Sequence, residues 1–211
     1  LGLVLGQLLQ LNADLGEAFG VWQMGNDSEL LRVVGAANIA CGFHAGDPLV
    51  MRRTVRQALA AGVSLGAHPS FPDLQGFGRR VMRLPPAELE AMLIYQIGAL
   101  DGIARAEGGR LTHVKPHGAL NNMACEETDL ATSVASAIAS YDPSLILLAP
   151  ALSQLAAAGA GAGLRVATEI FADRAYAEDG KLVARSQPDA VLHTADACVA
   201  QVLRMLDAGG I

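Results

Sequence analysis

Short apolar runs alternate along this chain with longer segments of helical period. That alternation constrains the fold more than any other feature, because it is the signature of parallel strands crossed over by helices. The runs fall at Gln7–Asn12, Ala37–Cys41, Val63–Ala67, Leu111–Lys115, Leu145–Ala149 and Leu164–Thr168. Between them, Asp27–Gly35, Pro48–Ala61, Pro86–Glu107, Leu120–Ser140 and Ala151–Ala158 are each long enough for helix, and Thr194–Asp207 predicts a last one. Several of these segments open on Asp, Ser or Pro, which suit a first helical turn. The opening LGLVLGQLLQL has no basic residues and runs straight into NADLGE, so it reads as a first strand and not as a leader peptide. No linker, solenoid repeat or break in composition divides residues 1–211, and a single domain is expected.

A barrel and a doubly wound sheet both satisfy this alternation, and the placement of polar residues favours the barrel. NADLGE follows the first strand, GFHAGD the second, HPSFPD the third, KPHGALNN the fourth and EIFADRAY the sixth. In a barrel of parallel strands the loops beyond the carboxyl ends converge on one face, where active sites are built. The small-residue stretch Ala156–Gly163 lacks both the Lys-Ser/Thr of a phosphate loop and the GxGxxG spacing. It reads as a helix end and a tight turn.

Charge and cysteine content narrow the function classes. The net charge is −6 and the 15 Lys and Arg are scattered, which argues against a nucleic-acid partner. No run reaches the ~18 to 20 apolar residues of a membrane span, so a soluble protein with no membrane partner is expected. Cys41, Cys125 and Cys198 are far apart, without a CxxC pair, and fit a reducing cytoplasm.

The candidate site residues follow from strand ends. His44, His68 and His117 each fall close to one, beside Gly or Pro that lets a ligand approach. Asn12 and Asp14 are two apart on one strand and share a side. Asp14 with His44 and His68 would make a ligand set for a divalent metal such as zinc. Acid and base groups acting without a metal account equally for the same residues. Lys115 supplies a cation able to hold a substrate carboxylate or a developing oxyanion. His113 lies two residues before Lys115, one layer deeper, where a structural role fits it; His193 is placed on the surface. Glu17, Asn38, Asp47, Asp73, Arg174 and Tyr176 are candidate substrate-binding residues, as is Asn12, although Asp47 before Pro48 serves equally well as a helix cap. Glu169 joins the catalytic candidates, and the run from Phe71 through Gln75-Gly76-Phe77-Gly78-Arg79-Arg80 has the length and glycines of a lid.

Taken in order, LNADLGEAFG, NIACGFHAGDP, GVSLGAHPSFPDLQGFGRR, HVKPHGALNNMA and EIFADRAYAEDGKLVAR resemble the LamB/YcsF family from about Leu11 onward. The resemblance implies a distorted seven-stranded (β/α) barrel of the glycoside hydrolase/deacetylase superfamily type. It implies ATP-dependent hydrolysis of the cyclic amide 5-oxoproline to L-glutamate, with ATP as co-substrate and two other 5-oxoprolinase subunits, B and C, as partners. On that reading His44, His68 and Asp14 position or deprotonate water, Lys115 binds negative charge, and His117 or Glu169 protonates the leaving nitrogen. The family usually carries an acidic residue where this chain has Gln10. Its members continue through a closing strand and a His-Gly-Asp loop beyond Ile211, so the barrel is expected open or completed by a partner. A stand-alone metal-dependent amidohydrolase or deacetylase, and a non-catalytic binding subunit, are the competing readings.

Overall fold

The computed structural model describes residues 3–4, 7–8, 10–177, 180, 182–183 and 187–207. A short antiparallel pair, β1 (Leu3–Val4) and β2 (Gln7–Leu8), precedes the main body. There β3 (Asn12–Leu15), α1 (Asp27–Leu30), β4 (Ala36–Ala40), α2 (Pro48–Ala60), β5 (Ser64–His68) and α3 (Pro86–Ala106) follow one another. They are continued by β6 (Leu111–Val114), α4 (Gly118–Glu126), α5 (Thr128–Tyr141), β7 (Ile146–Pro150), α6 (Gln154–Gly161), β8 (Arg165–Glu169) and α7 (Ala195–Asp207).

Six strands form one sheet in the order β3-β4-β5-β6-β7-β8, all parallel. Space order equals chain order, so every crossover turns the same way and the sheet is wound once around one side. A doubly wound sheet would reverse direction at its first strand. The result is an α/β half-barrel whose main sheet has six strands among the described residues.

Side-chain alternation sorts the two faces of the sheet. On β3, Asn12 and Asp14 alternate with Ala13 and Leu15; on β4, Asn38 sits between Ala37 and Ile39; on β6, His113 precedes Val114. The apolar members join the core beneath the helices. Leu89, Leu93, Ile97, Leu100 and Ala104 of α3 recur at helical spacing and are buried there, as are Val134 and Ile138 of α5. Each large side chain so buried contributes ~1.5–3 kcal/mol. The polar members face inward, and this is why a half-barrel of so apolar a chain carries a polar lining. Gly66 on β5 makes room for that lining: a Cβ there would lie 2.0 Å from His113 Nε2.

Several expected boundaries move. The first strand of the sheet is Asn12–Leu15 and not Gln7–Asn12, because register with β4 begins at Asn12↔Ala36 while Gln7 pairs with Val4. Asp27–Gly35 is helical only to Leu30 and then turns. Leu120–Ser140 is two helices, broken where Glu127 takes an extended conformation (φ −106°, ψ 107°). The stretch Ala156–Gly163 is the end of α6 and its turn, with Gly163 at φ 79°.

Candidate active site

The inward face begins with a chain of amide and imidazole contacts. Asn38 Nδ2 donates to Asn12 Oδ1 (2.7 Å) and to Asp14 Oδ1 (2.9 Å). Its Oδ1 therefore faces His113 Nε2, which donates to it at 2.9 Å. Burial pushes His113 down to about 4, helped by the charges of Lys115 and His68, so it is neutral. Asn38 thus holds Asp14 in place from behind, and His113 holds Asn38.

Lys115, just beyond β6, is buried among oxygens. Its Nζ lies 2.7 Å from Glu169 Oε1, 3.1 Å from Asp14 Oδ1 and 3.3 Å from Asn12 Oδ1. Burial alone would strip its proton, but Asp14 and Glu169 raise its pKa above the ordinary lysine value. Its charge is matched inside the protein, and its contacts join β3, β6 and β8 at one rim. Phe171 closes over it at 5.4 Å.

Next to this ion cluster a carboxylate stands among three imidazoles. Gly16, at φ 68°, turns the chain out of the period of β3 and swings Glu17 inward. Glu17 Oε1 lies 3.0 Å from His44 Nε2, 3.4 Å from His117 Nδ1 and 3.9 Å from His68 Nε2. His44 and His117 stack with centroids 3.8 Å apart, and His68 meets both edge-on. Asp14 Oδ2 stands 3.3 Å from His68 Nε2.

Backbone carbonyls fix two of the tautomers. His68 Nδ1 must donate to Lys115 O (2.5 Å) and His117 Nε2 to Phe77 O (2.9 Å), since a carbonyl only accepts. The remaining nitrogens, His68 Nε2 and His117 Nδ1, then face each other at 2.9 Å. Two lone pairs repel at that distance, so a positive centre, a proton or a metal ion, belongs between them. Burial lowers the pKa of His68, but the adjacent Asp14 outweighs it and the net shift is upward. Burial and the charge of His68 depress His44 to about 2 and His117 to about 3. Burial raises Glu17 above the usual carboxylate value. Asp14, despite its burial, is held well below its usual value by His68 and Lys115.

This donor set suits a metal. Glu17, His44, His68 and His117 each place one ligand atom within 4.8 Å of the others, and carbonyls orient two of the rings from behind as metal-binding imidazoles require. His44 Nδ1 is buried without a partner. The expected ligand set changes by one exchange and one addition. Asp14 Oδ1 is taken up by Lys115 and Asn38, and Glu17 and His117 stand in the cluster instead.

Two members of the cluster, Glu17 and His44, form the floor of a cavity of about 340 Å³ whose walls include Phe19, Trp22, Met24, Leu74, Phe77 and Arg79. Of these wall residues the sequence singles out only Phe77 and Arg79, in the lid run, although the apolar FGVWQM directly after a polar motif is a signal for others.

Four expected substrate-binding residues are committed to backbone elsewhere. Asp47 caps α2, accepting from Leu49 N (2.9 Å) and Val50 N (3.1 Å), and reaches Gly20 N at 2.8 Å. Asp73 accepts from Gly76 N (2.9 Å), Arg80 N (3.1 Å) and Arg80 Nε (2.7 Å). Arg174 donates to the carbonyls of Ala190 and Val183, and the Tyr176 hydroxyl accepts from Phe171 N. His193 is exposed.

The LamB/YcsF family model matches residues 9–211. A protein named as the A subunit of 5-oxoprolinase, from Azoarcus sp. (strain BH72), is 70% identical over 203 residues, 96% of this chain and 79% of its own length. The protein of the same name from Bacillus subtilis (strain 168) is 52% identical, over 96% of this chain and 79% of its own length. The crystal structure of a lactam utilization protein from Thermus thermophilus superposes with a TM-score of 0.91 at 45% identity, covering 94% of this chain and 81% of that one.

Proposed function

This chain belongs to the LamB/YcsF family, and on that premise we propose that it opens the lactam ring of 5-oxoproline to L-glutamate as one subunit of an ATP-dependent hydrolase. The name its relatives share, that of the 5-oxoprolinase A subunit, and the lactam-utilization neighbour support the reading. The observation that carries it is Glu17, with its raised pKa, in contact with three buried imidazoles at the floor of a small cavity.

An unstrained amide resists water because resonance lowers its electrophilicity. Transfer of the γ-phosphoryl group of ATP to the carbonyl oxygen makes that oxygen a leaving group, and ADP departs. Water then adds at the carbon, and the tetrahedral adduct collapses by breaking the ring C–N bond as the nitrogen gains a proton, which leaves an acyl phosphate that a second water hydrolyses to the carboxylate and phosphate. In this chain Glu17 Oε1 takes the proton of the attacking water, with His44 Nε2 at 3.0 Å holding the carboxylate. The proton shared by His68 Nε2 and His117 Nδ1, kept there by Asp14, goes to the leaving nitrogen. A divalent metal held by Glu17, His44, His68 and His117 would supply a more acidic bound water.

The sequence contains no Walker A motif. We assign the phosphoryl transfer to the assembly with the two partner subunits, B and C, for which the word "subunit" in the relatives' names is the support. We likewise place the six strands in a distorted seven-stranded barrel of the glycoside hydrolase/deacetylase type, supported by their sequential parallel order. No helix among the described residues is long and apolar enough to cross a membrane. The three free cysteines support a cytoplasmic location.

Glutamate release from 5-oxoproline by the chain reconstituted with both partners tests this function. Release that requires ATP and all three chains is expected. Release by this chain alone, without ATP and abolished by a chelator, would establish instead the metal-dependent amidohydrolase that the four-residue donor cluster also favours. No release under either condition overturns both.

A further inference from the structure

A lactam that carries a carboxylate needs a cation near the reacting centre, and Lys115 is already surrounded by Asp14, Glu169 and Asn12. The cavity wall supplies another. Arg79 lines the same cavity as Glu17 and His44, with its guanidinium 5.2 Å from the centroid of Phe77. Its neighbour Arg80 is committed to Asp73, whereas no carboxylate among the described residues forms an ion pair with Arg79. Its charge nevertheless reaches the floor: it partly offsets the burial that raises Glu17 and adds to the burial that lowers His44.

The loop that carries Arg79 is built with unusual firmness for an exposed segment. Asp73 gathers the amides of Gly76 and Arg80 and the side chain of Arg80, and its carbonyl accepts from Gly78 N at 2.9 Å. Ala119 N donates to Gly78 O (2.8 Å), and His117 Nε2 donates to Phe77 O (2.9 Å). These ties hold Phe77 at φ 55°, a conformation that costs a non-glycine residue energy and persists only where its surroundings enforce it. The Phe77 ring is thereby set edge-to-face against His44 and His117, and the next residue but one overhangs the cavity. A strained, multiply tied loop that also orients a catalytic histidine is a built wall of the site.

We infer that Arg79, presented by the Asp73-anchored loop against Phe77, binds the carboxylate of the lactam substrate and so selects amino-acid lactams over neutral ones. This rests on the 5-oxoproline reading above. Arginine suits the task because its planar fork can hold both carboxylate oxygens at once.

The test uses the three-subunit enzyme with Arg79→Met and Arg79→Lys, measuring KM for 5-oxoproline, KM for ATP and kcat. Arg79→Met is expected to raise KM for 5-oxoproline roughly 10- to 100-fold, the value of one charge-assisted contact. KM for ATP and kcat should change by less than about threefold, and Arg79→Lys should recover part of the loss. An unchanged KM for 5-oxoproline in an active Arg79→Met enzyme overturns the inference and leaves the function standing. A rise in KM for ATP instead assigns the cation to phosphate and also overturns it. A wild-type assembly that releases no glutamate removes the substrate itself, and both proposals fall together.

Discussion

Glu17 shows how one residue's conformation can hide its role. The sequence places Glu17 among the candidate substrate contacts, and period-two alternation from Asn12 and Asp14 leads next to Gly16 and not to Glu17. Gly16 at φ 68° breaks the period and delivers the carboxylate to His44, His68 and His117. The histidines were legible, because each stands at a strand end and strand ends converge. Their tautomers were not, since these depend on Lys115 O and Phe77 O, carbonyls whose direction only the folded loops decide. If Glu17 Oε1 is the base, Glu17→Gln keeps the shape and removes the basicity. Glutamate release by the reconstituted enzyme should then fall ~100-fold or more, with KM for 5-oxoproline changed far less. Loss of less than about tenfold would assign the proton transfer to another group.

Individual elements were read best where a local cue marks their ends. Pro48 at the first turn and Asp47 before it define α2 in the sequence as they do in the structure, and Pro86 does the same for α3. The break between α4 and α5 at Glu127 has no Gly or Pro to mark it; it separates a helix that packs on α6 and β7 from one that packs on α3 and α6. The cap makes a quantitative prediction. Asp47→Ala should cost about 1 kcal/mol of unfolding free energy at pH 7. Burial opposes it, but the amides of Gly20, Val50 and Leu49 together hold the Asp47 pKa below its ordinary 3.8. A carboxylate depressed by folding stabilises above its unfolded pKa, and the contribution disappears as pH falls through the folded value. Urea denaturation of the two proteins should therefore show a gap that is constant from pH 7 to about 5 and narrows below about pH 4. A gap independent of pH would mean that the charge of Asp47 adds nothing to its capping.

Across the whole molecule, a half-barrel has two free edges, and β3 and β8 have no backbone hydrogen bonds to one another among the described residues. Lys115 joins them through side chains: Asp14 comes from β3, Glu169 from β8, and the ammonium lies between them just beyond β6. The same ion cluster sets the electrostatics of the site, since Asp14 also keeps the proton on His68. Stability of the open sheet and protonation of the histidine cluster are therefore coupled through one carboxylate. Removing the cation leaves the buried Glu169 carboxylate without its ion-pair partner, while Asp14 keeps Asn38 and His68, a loss of ~3–5 kcal/mol when one member of a buried pair is deleted. Lys115→Met should lower the unfolding free energy by that order in urea titration. Hydrogen exchange gives the more specific signature: amides of β3 and β8 should exchange faster in the variant, while those of β5, paired on both sides, should keep most of their wild-type protection. Uniform acceleration across all six strands would show that Lys115 contributes only to global stability and does not tie the two edges together.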